Sequence, residues 1–170
     1  MRSHLKYAKY CMVLFVAVIC CSTALGAENI YAPGHTALDV FDADGFKSSP
    51  SWVQIWVGFM LSTFAVGIFF VWKHALARWA IGGLIASMAT GHYTFVLLGL
   101  PFLGGSIAIM HIICWTPALI LLLINLPFLN QQEPMVFRIW SGVMTGVITF
   151  SFIFDVRDAA IYINHVSDLA

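Results

Sequence analysis

WAIGGLIASMATGHYTFVLLGLPFLGGSIAIMHIICWTPALILLLINL, residues 79–126, contains no Asp, Glu, Lys or Arg. Its turn signal is the stretch from Gly99 to Gly105, with Pro101 inside it, so it divides into two apolar runs, 79–100 and 102–126. Each supplies the ~20 residues that a helix needs to cross a ~30 Å hydrocarbon core. Two further runs, 52–72 and 136–154, have the same character, and the interior of none carries a formal charge. The runs are too continuous for the alternating strands of a barrel, and backbone hydrogen bonding leaves helices as the spanning form. Trp52, Trp72, Trp79 and Trp140 lie near run ends, where interfacial aromatics belong. The expected fold is an all-α integral membrane protein, a bundle of four transmembrane helices over residues 51–170.

Composition agrees. Of 170 residues, 61% are hydrophobic and 9% charged, with zero net charge. Soluble domains carry about 25% charged residues, and a soluble fold of this composition would expose large apolar patches. The lipid bilayer is therefore the expected partner. No basic run follows a phosphate backbone, so nucleic acid is excluded as one.

The first 27 residues read as a signal peptide. Arg2, Lys6 and Lys9 form a positive start, residues 11–21 an apolar core too short to span comfortably, and 22–27 a small-residue stretch with Ala24 and Gly26 at cleavage-site spacing. An uncleaved anchor over 8–26 is the alternative. Bulky Ile19 before Cys20 disfavours a lipoprotein site. Cleavage would remove Cys11, Cys20 and Cys21, leaving Cys114 as the one thiol and no CxxC pair, which argues against thiol redox chemistry. Residues 28–50 form a polar, turn-rich extracytoplasmic (periplasmic) segment. Asp39, Asp42, Asp44 and Gly45 loosely suggest a calcium loop, but Val40 interrupts the pattern and a solvated acidic loop is the simpler reading.

Charge sets the expected orientation. With the segment before the first span outside, Arg2, Lys6, Lys9, Lys73, Arg78 and Arg138 fall on the cytoplasmic side, and only Lys47 and Arg157 fall outside. This is the positive-inside bias. It predicts a multi-pass protein of a bacterial inner membrane, with both mature termini periplasmic.

The functional lead is depth. From Arg78 up to His92 is a climb of roughly 21 Å, and from Asn125 up to His111 roughly the same, at ~1.5 Å per residue. Asp155 stands roughly 25 Å above Arg138. Gln54 enters the first span from the same side. Gln54, His92, His111 and Asp155 are thus expected in one layer, with Tyr93, Trp115, Arg157 and Asp158 nearby. Gly142 and Gly146 form a GxxxG sequence, and Gln54, Gly58 and Ser62 a comparable stripe; both predict close helix packing. Met60, Met88, Met110 and Met144 are too scattered to read as soft-metal ligands and are taken as packing residues, and His74 as a solvated loop residue.

Intramembrane ionisable groups are costly and suggest function by default. The leading expectation is a non-enzymatic accessory or assembly component with a buried His/Asp cluster. One alternative is a redox subunit in which His92 and His111 bind haem b, or a metal ion with Asp155 as third ligand. Another is a proton or small-solute permeation subunit, acting as a homo-oligomer or within a larger membrane complex.

Overall fold

The computed structural model describes residues 37–40, 46–47 and 49–169. The expected signal peptide, with Cys11, Cys20 and Cys21, lies outside the described residues, as do Asp42, Asp44 and Gly45. The described chain holds four helices long and apolar enough to cross a membrane, and no strand occurs among the described residues. Helix α1 spans Ser51–Gly67 and is prolonged by a 3₁₀ turn, Ile68–Phe70. Helix α2 spans Ala75–Leu97 and α3 spans Gly104–Asn125, followed by a 3₁₀ turn, Pro127–Leu129. Helix α4 spans Met135–Leu169.

The helix ends follow from local chemistry. His74 is extended (φ −123°, ψ 119°), and α2 starts directly after it with the helix-forming Ala75-Leu76-Ala77-Arg78. Helix α2 stops where Gly99 turns left-handed at φ 67°, two residues before Pro101. Helix α3 stops at Leu126, which adopts φ 44° and ψ 52°. Pro127 disfavours the right-handed helical conformation at the residue before it, and the buried Leu126 side chain accepts the strained alternative. Pro117 falls inside α3, yet the helix continues through it. The largest departure from the sequence expectation is α4, which runs on from residue 154 to Leu169. Its 35 residues make a rod of ~52 Å, well beyond the hydrocarbon thickness.

Helix α3 lies between α2 and α4 and packs extensively on both, whereas α1 touches α2 and α4 over shorter stretches. The end that bears the α2–α3 turn is termed upper. The main core lies toward the lower half. Phe64, Trp115, Leu119, Leu122, Phe137, Trp140, Met144 and Ile148 are all buried there. Three glycines permit the close crossings. A Cβ at Gly83 would lie 2.5 Å from the Cys114 carbonyl oxygen, one at Gly105 2.4 Å from Tyr162 Cβ, and one at Gly67 2.7 Å from the Trp140 ring. Trp140 then donates from Nε1 to the Thr63 carbonyl at 2.9 Å, tying α4 to α1.

Two devices close the upper end. Residues 37–40 lie across the start of α3, where the Asp39 and Ala37 carbonyls accept hydrogen bonds from Gly104 and Gly105 N–H at 2.9 and 2.7 Å. Those amides have no partner within the helix. Beside this segment, Tyr162 packs against Phe95 and donates its hydroxyl to the Pro101 carbonyl at 2.7 Å. This bond fastens the extension of α4 to the α2–α3 turn. Tyr162→Phe removes it while keeping the ring, and the expected loss is ~1 kcal/mol of stability, read from the midpoint of unfolding in detergent.

Candidate functional site

Of the expected polar layer, the structure brings His111 and Asp155 together. His111 Nδ1 and Asp155 Oδ1 are 3.4 Å apart, with both side chains largely buried. The contact is long compared with the ~2.8 Å of a strong charge-assisted bond. The His111 ring stacks on Trp115 one turn below, with centroids 4.0 Å apart and planes 16° from parallel. This stacking fixes the imidazole plane, and Asp155 fixes its rotation.

The pair forms part of the wall of a cleft of ≈ 370 Å³ in the upper half of the bundle. Val53, Val57 and Met60 of α1 line one side and Ile107, Ala108 and Trp115 of α3 the other. The cleft exists because α1 leans on α2 and α4 without closing onto upper α3. Its lining is mainly apolar, yet two of the residues that line it, Trp115 and Asp155, each carry a fully buried polar atom, Nε1 and Oδ2, that meets no hydrogen-bond partner among the described residues. One can only donate. The other, on an ionised carboxylate, can only accept. Burying such groups unsatisfied costs free energy, about 1–3 kcal/mol each and more when charged.

The remaining expected residues have other places. Gln54 turns away from the pair and donates through Nε2 to the Ser49 and Lys47 carbonyls at 2.8 and 3.1 Å, holding the entry to α1. Tyr93 is exposed on the outer face of α2. Arg157 and Asp158 are half-buried on α4 beyond Asp155 and have interactions of their own, and Asp158 lines the same cleft as the pair. His92 is exposed, with its ring edge-on to Phe102 at 5.1 Å. It does not join His111 and Asp155 in a ligand set: among the described residues no three His, Cys, Asp or Glu side chains form a group that could hold a metal ion. His92 and His111 nonetheless line one groove of ≈ 260 Å³ between α2 and α3, with Met88 and Met110. The i, i+4 spacing of Met88 and His92, and the adjacency of Met110 and His111, were the available sequence signals for that grouping.

A second histidine–carboxylate pair lies at the lower end. His74 Nδ1 is 3.6 Å from Glu133 Oε2, and its ring stacks on Phe137 at 3.5 Å. His74 is therefore packed and paired, not solvated as its loop position suggests, because the α3–α4 turn folds Glu133 back over it. Phe137, Trp140, Met144, Leu119 and Leu122 fill the core between the two pairs, none more than 4% exposed. Comparison of the chain with family models, curated proteins and solved structures returns no match.

Proposed function

We propose that the chain is a non-enzymatic component of a bacterial inner membrane that holds a hydroxyl-bearing amphiphile in the cleft beside His111 and Asp155. In this reading a leading signal peptide is removed, the termini face the periplasm, and the cleft opens within the outer half of the bilayer. The observation that carries it is the pair of unsatisfied groups on residues that line a mainly apolar cleft. A hydroxyl lodged between Asp155 and Trp115, with a small shift of these side chains, would supply the partners that Oδ2 and Nε1 lack, while an alkyl or isoprenoid tail lies along Val53, Val57, Ile107 and Ala108. Small-molecule sites have this make-up of apolar walls and a few convergent polar atoms. The core below the cleft disfavours a permeation role, since the large side chains of Phe64, Leu119, Leu122, Phe137 and Met144 fill it and no His, Asp, Glu or Lys side chain lies among them to relay a proton.

The test is photo-crosslinking in lipid nanodiscs with a long-chain alcohol that carries a diazirine. Labels are expected to concentrate on the cleft-lining residues of α1 and α3. Val57→Trp, which fills the cleft, should cut labelling by about tenfold, equivalent to ~1.4 kcal/mol of binding. Labelling spread evenly over the outward faces and indifferent to Val57→Trp would refute the proposal.

A further inference from the structure

The groove between α2 and α3 adjoins the cleft, sharing Met88, Ile107 and His111 with it, and differs from it in chemistry. Its wall presents two imidazoles, His92 and His111, and two thioethers, Met88 and Met110, around ≈ 260 Å³. Neither ring nitrogen of His92 makes a hydrogen bond to a described residue, although the helix carries it in the middle of an apolar surface. An ionisable side chain at membrane depth without a partner is costly and marks a site by default. Gly91, beside His92, leaves room for Met110 to reach across: the Met110 Cγ would lie 3.5 Å from a Cβ built on Gly91. The thioether of α3 is thereby brought to the stretch of α2 that carries His92.

His111 supplies the second observation. Its Nδ1 is engaged by Asp155 at 3.4 Å, so with the proton on Nδ1 the Nε2 lone pair is free to act as a ligand. Metal-ligating histidines are oriented in this way, the carboxylate holding the far nitrogen and fixing the tautomer. Asp155 then acts behind the histidine and is not itself a ligand.

We infer that His92, His111, Met88 and Met110 form a binding site for a single soft metal ion, copper(I). Thioether sulfur is a weak ligand for hard or borderline cations and favours Cu(I), and imidazole suits copper as well. No carboxylate lines this groove, which removes the basis for magnesium or calcium binding. The copper(I) site shares Met88 and His111 with the cleft, whereas His92 and Met110 line the groove alone, so variants at these two separate copper binding from amphiphile binding.

The experiment is titration of the full-length protein in detergent with Cu(I), under reductant and against a chromophoric chelator. The expected result is one equivalent held by the wild type and retained when Cys11, Cys20, Cys21 and Cys114 are all serine. His92→Phe and Met110→Leu should each weaken it at least tenfold, and X-ray absorption should find both nitrogen and sulfur bound to copper. His92 makes no hydrogen bond and is exposed, so His92→Phe tests ligation without disturbing the fold. Labelling by the diazirine alcohol should be unchanged in both variants. Cu(I) binding that survives both substitutions would overturn the site, as would failure to compete with the chelator. Equally tight Zn(II) binding lost in the same variants would overturn the assignment to copper(I).

Discussion

Gly105→Ala is expected to destabilise the protein by ~3 kcal/mol, at the upper end of the range for overpacking a filled interface. The new methyl would meet Tyr162 Cβ at 2.4 Å and the Asp158 carbonyl oxygen at 2.6 Å. Neither atom is the free end of a flexible side chain, so α3 and α4 must separate. That separation also strains the Tyr162–Pro101 bond and the bonds from Ala37 and Asp39 to the start of α3. The control has the opposite sign. Nothing lies within 4 Å of a Cβ at Gly58 or Gly146, so alanine there adds helix propensity without a clash, a gain of up to ~1 kcal/mol. Unfolding midpoints in detergent for the three variants separate these outcomes. A Gly105→Ala protein as stable as wild type would mean that α3 and α4 do not cross there.

The second large effect concerns the His111–Asp155 pair. His111→Ala strands a buried carboxylate, and the expected loss is ~3 kcal/mol. Asp155→Asn keeps a hydrogen-bonding group against His111 and should cost about 1 kcal/mol. The combined His111→Leu, Asp155→Leu protein should recover most of the loss, because a well-packed apolar pair often matches or exceeds a buried ion pair in stability. The long 3.4 Å contact strengthens this expectation, since it limits what the pair returns for its desolvation. Stability that recovers while alcohol labelling is lost would establish that the pair serves binding. A double variant less stable than either single one would make the pair structural.

The four spans were legible in the sequence because lipid imposes one strong demand, ~20 apolar residues with all backbone bonds internal. The shared level of His111 and Asp155 was legible for the same reason, as depth follows from counting residues along a rod. Azimuth was not. On α2 the buried face runs through Ala80, Gly83, Ser87 and Gly91. His92 lies about 100° further round, at 3.6 residues per turn, which puts it at the groove rim and not in the bundle. Gly83, Ser87 and Gly91 share the four-residue spacing of Gly142 and Gly146, and it is the former set that meets a neighbouring helix. In the structure Gly146 faces outward, and Gly142 meets only Phe128, at 3.4 Å. A GxxxG pattern marks a smooth helix face without saying which neighbour uses it. The length of α4 was also missed, because Asp155, Arg157 and Asp158 end the apolar run without ending the helix.

The strap formed by residues 37–40 has a consequence for biogenesis. Its carbonyls satisfy amides that belong to the third crossing, so the arm before the first helix has to arrive on the same side as the turn between the second and third. A chain threaded with its first crossing reversed would leave that arm on the wrong face and two glycine amides bare. Correct threading is thus rewarded late, once the third crossing is in place, and the leading arm acts as a latch on insertion.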